Sequence, residues 1–206
     1  MAQLKILLYP DPVLRKKSAP ISKIDSGVRI LLDDMLETMR AANGIGLSAP
    51  QVGRNVRVVI VSDARGFEEP PQDGEEEREA EEPAGEEKVE MPVIEMINPA
   101  AGTPSGRDYQ VEGCLSIPNF LAKVGRSKSV EVEWLCREGK KHRMLADGLT
   151  ARIIQHEIDH LDGVLFVDRL SGLKKEMMLK KMEKAFGSES GGGDKPGHAP
   201  KKKKGA

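Results

Sequence analysis

Between Asp147-Gly148 and Gly163 the chain reads "LTARIIQHEIDHLD", and no other stretch limits the fold as tightly. Residues three and four apart share a helix face, so Leu149, Ile153, His156 and His160 form one stripe of a single helix, which Gly163 closes. Within it His156, Glu157 and His160 have the spacing H-E-x-x-H, which can set two imidazoles on one metal ion while the glutamate works on a bound water. The spacing alone fits a zinc peptidase, another metal hydrolase, or an ordinary helix carrying two histidines.

The rest of the chain supplies the scaffold. Asp25 or Ser26 is a plausible N-cap for a first helix in which Ile30, Leu31, Met35, Leu36 and Met39 recur at helical spacing until Asn43-Gly44 stops the run. A glycine-rich loop, "GIGLSAPQVG" over Gly44 to Gly53, then enters "VRVVIVS", a run of strand character. "VEMPVIEMINPA" and "DYQVEGCLSIPNF" read as extended. "SVEVEWLCRE" alternates Val130, Val132 and Trp134 with polar residues, and "GKKHRMLADG" is its hairpin partner across Glu138-Gly139. A third helix, "SGLKKEMMLKKMEKAF", starts with Ser171 as candidate N-cap and sets Leu173, Met177 and Met178 against lysines. This order predicts an α+β fold, with mainly antiparallel sheets packed around the His-bearing helix and a helix at the C-terminal end.

At 206 residues the chain is long enough for one full core, and with 38% hydrophobic but only 3% aromatic residues that core must be built mostly from Val, Ile, Leu and Met. The expected division is a catalytic domain over 1–170, a basic amphipathic helix over 171–186 and a disordered basic tail over 187–206. Two cysteines, Cys114 and Cys136, are too few for a disulfide framework and leave metal or catalytic use open. The opening "MAQLKILLYPDPVLRKK" is broken by Pro10 and Pro12, so it reads as neither a signal peptide nor a membrane span. A cytoplasmic, monomeric protein is expected.

The net charge of −1 conceals an asymmetry: Phe67 to Glu90 carries −10 and the remainder +9. The acidic stretch has three prolines and no apolar period, so it cannot bury enough surface to offset its ordering entropy and is expected to be a disordered loop over 67–90. A basic body is drawn toward anionic surfaces such as RNA.

A catalytic metal site of this kind generally takes three protein ligands and leaves a fourth position for water. Two histidines are not enough. Downstream of His160 the one histidine is His198, in the tail, and Asp162 and Asp168 are badly spaced, which argues against a peptidase of the usual H-E-x-x-H type. Upstream, "EGCLS" offers Cys114 as a third ligand, since a divalent cation stabilises its thiolate. Taken alone Cys114 would read as a small buried hydrophobe, but Gly113 permits close approach, and Glu112 is an acidic residue in an apolar segment that needs a partner. Cys136, after Trp134 in an alternating strand, reads as structural.

Three ordered motifs, "GIGLSAPQVG", "EGCLSIP" and "QHEIDHLDG", together with "DPVLRKKS" near the start, resemble the peptide deformylases, which remove the formyl group from the N-terminal methionine of new bacterial proteins. The resemblance spans about residues 3 to 186, apart from the acidic stretch. It implies that Cys114, His156 and His160 bind one divalent metal ion with a water as fourth ligand and nucleophile, and that Glu157 is general base and then acid. It also implies that the Gln51 side-chain amide and the Leu115 backbone N–H stabilise the oxyanion, and that the Gly46 backbone contacts the peptide. The implied ion is Fe(II), although ligand type alone also suits Zn, Ni or Co. The implied partners are formyl-methionyl nascent peptides and, through 171–206, the ribosome near its exit tunnel. Glu112 and Arg126 match a pair of positions joined by a salt bridge. Two positions depart from the pattern: Ser48 stands where alanine is usual, and Leu121 where many relatives carry an arginine that touches the substrate backbone. A catalytically inactive ribosome-binding relative would keep the lysines, but the complete set of catalytic residues argues against it.

Overall fold

The computed structural model describes residues 2–65 and 91–187; the acidic stretch and, apart from Gly187, the C-terminal tail singled out above lie outside them. The described elements are α1 (Ser26–Ala41), β1 (Gly46–Ser48), β2 (Val58–Ser62), β3 (Val93–Ser105), β4 (Asp108–Cys114), β5 (Ile117–Arg126), β6 (Ser129–Leu135), β7 (Lys141–Asp147), α2 (Gly148–Leu161) and α3 (Gly172–Gly187), with 3-10 turns at Pro12–Arg15, Ala49–Val52 and Phe166–Arg169. β1, β2, β3, β6 and β7 form one sheet in that order, β4 and β5 form a second, and every pairing is antiparallel. The α+β class follows as expected.

All five residues of β2 are buried, and the reason lies in what covers each face. Val59 and Val61 pack with Met96, Val132 and the α2 residues Ile154, Ile158 and Leu161, whereas Val58 and Ile60 pack with Ile97 and the α1 residues Leu32, Met35 and Met39. A strand covered on both faces needs an unbroken apolar run, and "VVIV" is one. The β6–β7 hairpin turns where its Gly139 adopts φ 78°, with Leu135 opposite Lys141. The ladder between β2 and β3 ends with Ser62 opposite Val93, and the Asp63 N–H donates to the Pro92 carbonyl at 2.7 Å just beyond it.

Helix boundaries agree with the sequence to within about a residue, but Ile30 in α1 and Leu173 and Met177 in α3 lie off the packed faces. In α1, capped by an Asp25 carboxylate accepting from the Val28 N–H at 3.1 Å, the buried positions are Val28, Leu32, Met35, Thr38 and Met39. Ile30 is 58% exposed, because it lies on the opposite side of the helix from the 28–32–35–39 line. In α3 the inward residues are Met178, Leu179, Met182 and Phe186, which join a third cluster with Ile117, Val124 and Phe166. Leu173 and Met177, expected on the apolar face, point to solvent at 72% and 54% exposure. α2 departs furthest from a one-sided helix: Thr150 to Ile154 and His156 to Leu161 are all buried. One side meets the large sheet and the other meets β4 and β5.

Two backbone bonds from the first residues of the chain also reach the centre of the molecule. The Leu7 N–H donates to the Gln51 carbonyl at 2.7 Å, and the Tyr9 N–H donates to the Ser116 carbonyl at 2.8 Å. No described helix is long and apolar enough to cross a membrane.

Candidate metal centre

Cys114 ends β4 at a tight turn through Leu115 and Ser116, and α2 brings His156 and His160 up beneath it. The hairpin register shifts between Glu112 and Cys114, with the extra residues on β5, where Asn119 takes φ 67°. Such an irregularity re-aims the side chains beside it. The donor atoms of Cys114, His156 and His160 lie within 4.8 Å of one another, and the Cys114 Sγ is 3.2 Å from the His160 Nε2. One ion with ligand bonds of about 2.0–2.3 Å spans a group of that size.

The second ring nitrogen of His156 decides which lone pair is free. His156 Nδ1 is 3.0 Å from Glu112 Oε2, which leaves Nε2 for a cation and gives the carboxylate–histidine arrangement that fixes the ring of a metal ligand. Burial alone would lower the His156 imidazole, but the Cys114 and Glu112 side chains outweigh it and push its pKa up to about 10. His156 therefore has to give up a proton when an ion binds, and metal uptake by the free protein is favoured as pH rises toward that value. Burial and the neighbouring His156 lower His160 well below its ordinary value, so its ring is neutral and ready to donate a lone pair. The residues present fit a single divalent ion.

Behind the ligands lies a buried network larger than the single ion pair the sequence suggested. Arg126 Nε and Nη2 donate to Glu112 Oε1 and Oε2 at 2.6 and 2.8 Å, and its Nη1 donates to Asp159 Oδ2 at 2.8 Å. Arg152 Nη1 adds a second cation on Glu112 Oε1 at 2.6 Å, and Arg169 closes on Asp159 from the other side through Nε at 3.0 Å. Burial raises the Glu112 carboxyl, but hydrogen bonds from His156 and Arg126 prevail and hold it down at about 2. Arg152 and Asp159 were not singled out in the sequence. The signal was available: they stand four before and three after His156, on its own face of α2.

The remaining predicted residues converge on the same place. Glu157 is 3% exposed, and its Oε2 has no hydrogen-bond partner among the described residues. Burial pushes its pKa up to about 7. A Cβ at Gly46 would lie 2.5 Å from Glu157 Oε1, so glycine there clears room for the carboxylate, a reason the sequence did not reveal. At Gly44 a Cβ would lie 2.8 Å from a methyl of Leu115. Gln51 Nε2 lies 3.6 Å from Cys114 Sγ, so its amide faces the ligand cluster. Gly113 is covered by the Leu121 side chain, not by backbone: a Cβ there would meet Leu121 Cδ2 at 2.8 Å. Cys136 sits apart at the β6–β7 turn, its N–H bonded to the Lys140 carbonyl.

The sequence profile of the polypeptide deformylase family matches residues 3–176. The chain belongs to the peptide deformylase family. The peptide deformylase of Alkalilimnicola ehrlichii is 45% identical over 184 residues, which make up 89% of this chain and 91% of that one. That of Chromohalobacter salexigens is 45% identical over 188 residues, with 89% and 95% covered. Among solved structures, a plant peptide deformylase superposes with a TM-score of 0.76 at 34% identity, covering 95% of this chain and 96% of that one. The peptide deformylase from Acinetobacter baumannii, whose structure has Met-Ala-Ser bound, superposes with a TM-score of 0.68 at 32% identity, covering 82% and 99%. The Cys-His-His centre is thus the metal site of a peptide deformylase, and the activity is removal of the formyl group from formyl-methionyl peptides.

Proposed function

We propose that Cys114, His156 and His160 hold Fe(II), and that Glu157, Gln51 and Leu115 carry out deformylation around it. The observation that carries this reading is the clustering of the three donor atoms, with the Gln51 amide 3.6 Å from the Cys114 sulfur and the buried, unpartnered Glu157 carboxylate next to His156 on α2. A divalent cation held there supplies Lewis acidity, which makes a water nucleophilic near neutral pH. Glu157 takes a proton from the attacking water at its unpartnered Oε2 and returns it to the departing amine. As water adds to the formyl carbon, negative charge collects on the formyl oxygen. The Gln51 Nε2 and the Leu115 N–H are the donors for that charge, and neither brings a positive charge that would repel the cation. The Gly46 backbone, at the start of β1, binds the peptide. The relative with bound Met-Ala-Ser holds a peptide that begins with an unformylated methionine, as a product of this reaction does.

The test is anaerobic purification with elemental analysis, paired with formate release from a formyl-methionyl peptide before and after metal exchange. We expect one ion per chain and the highest turnover with iron. Cleavage of internal peptide bonds without formate release would sink the assignment of Glu157 and Gln51 to this reaction.

We also place the protein in the cytoplasm as a monomer whose catalytic unit, residues 1–170, is followed by a basic ribosome-docking segment. Support comes from α3, where Lys174, Lys180, Lys181 and Lys184 are exposed, although Lys175 is paired with Asp168 at 2.8 Å. Co-sedimentation with ribosomes should weaken as salt rises and be lost when residues 171–206 are removed. Binding that ignores both would refute the docking role.

A further inference from the structure

Both hydrogen bonds to the Gln51 side-chain oxygen come from one residue. Gln51 Oε1 accepts from the Ser48 backbone N–H at 2.8 Å and from the Ser48 hydroxyl at 2.7 Å. Ser48 is fully buried and Gln51 is 1% exposed, so solvent offers the amide no alternative partner. With both donors on the carbonyl oxygen, the amide nitrogen is turned the other way, toward the Cys114 sulfur at 3.6 Å. A flipped amide would set its own N–H groups against the Ser48 backbone N–H and lose that bond, while the hydroxyl, which can also accept, would turn round to take one of them. The backbone bond is the return half of a capping box and needs no particular side chain at position 48. The hydroxyl is the part that the residue type supplies.

We infer that Ser48 is a positioning residue for deformylation: its backbone N–H sets the Gln51 carboxamide with the NH2 group toward the metal centre, and its hydroxyl, as a second donor to the same oxygen, strengthens that group as a donor to the developing oxyanion. The inference rests on Gln51 being an oxyanion donor. Orientation follows from the backbone N–H, which can only donate. Strengthening follows because a carbonyl that accepts a second hydrogen bond draws electron density from its own amide nitrogen, and hydrogen bonds in such a chain polarise one another. The benefit appears as charge builds on the formyl oxygen, so it falls on kcat and not on binding of the ground state.

A kinetic double-mutant cycle on the metal-loaded full chain tests this, with a formyl-methionyl peptide as substrate. Ser48→Ala is expected to lower kcat about fivefold, the rate equivalent of one net hydrogen bond, with KM and metal content unchanged. Gln51→Ala is expected to lower kcat about a hundredfold or more. Added to Gln51→Ala, Ser48→Ala is expected to cost nothing further, because the hydroxyl then has no amide to polarise. An unchanged kcat in Ser48→Ala, or a loss explained by a lower metal content, would overturn the assignment. So would effects that multiply in the double variant, which would place the hydroxyl's action on Glu157, its other neighbour. If Gln51→Ala itself left kcat unchanged, the oxyanion reading would fail and take the Ser48 role with it. The two failures are therefore told apart by the Gln51 single variant.

Discussion

Replacing Glu157 with glutamine is expected to leave one metal ion bound and to lower kcat by about a hundredfold to ten-thousandfold. The metal should stay because the three donor atoms belong to Cys114, His156 and His160 and none to Glu157. Turnover should collapse because a carboxamide cannot take the proton of the attacking water. Glutamine is nearly isosteric and fits the space that Gly46 leaves open, so the loss is one of chemistry and not of packing. The same variant should make the metal-free fold more stable. The Glu157 carboxyl is raised by burial from 4.5 to about 7, so between those pH values the folded chain holds a proton that the unfolded chain has released. Stability then falls as pH rises through that window, and an uncharged amide removes the loss, about 3 kcal/mol. Elemental analysis, formate release and thermal melts of the metal-free protein at pH 5 and pH 8 check all three statements. A variant that retains more than a tenth of wild-type kcat would exclude Glu157 as the base.

Arg126→Ala should have the largest effect on the fold itself. Arg126, with 3% of its side chain exposed, bridges Glu112 and Asp159, whose side chains are 5% and 8% exposed. Removing the guanidinium leaves two carboxylates without their shared cation, and breaking a buried pair in this way commonly costs about 3–5 kcal/mol. Arg152 on Glu112 and Arg169 on Asp159 remain, so the lower end of that range is expected. Because Glu112 holds the His156 ring, the variant should lose its ion faster to a chelator while activity per bound ion changes little. The pH dependence has a definite sign. With the Glu112 carboxyl held at about 2 against an ordinary value of 4.5, its contribution is complete above about 4.5 and disappears as pH falls through about 2. Acid unfolding of the wild type should therefore be steep between those values, and shallower in Arg126→Ala. Unchanged chelator sensitivity together with an unchanged melt would rule out a supporting role for Arg126.

How much of this was legible in the sequence depends on the range over which each interaction acts. The α2 stripe, the β6–β7 alternation and the Glu138-Gly139 turn depend on neighbours within a few residues, and they were readable from spacing alone. The ligand set needed Cys114, far upstream of His156, and the case for it was chemical: a third donor was missing and one thiol had unusual neighbours. Three features stayed hidden for separate physical reasons. Ile30 in α1 and Leu173 and Met177 in α3 fall outside the packed faces because they are apolar yet exposed, and apolarity does not force burial. Arg152 and Asp159 look like ordinary solvated charges until α2 is known to be buried on all sides. The bonds from Leu7 and Tyr9 to Gln51 and Ser116 use backbone groups alone, which leave no trace in the identity of the side chains.

The closing rung of the β2–β3 ladder has a consequence for how this chain tolerates change over time. Since Ser62 and Val93 face each other, the two ends of whatever is encoded between them are held side by side by the sheet. The entropy of closing such a connection grows only with the logarithm of its length, about 0.6 kcal/mol for each doubling. Insertions there are nearly free for the fold. It is a place where a gene can gain or lose codons while the enzyme's chemistry stays under unchanged selection.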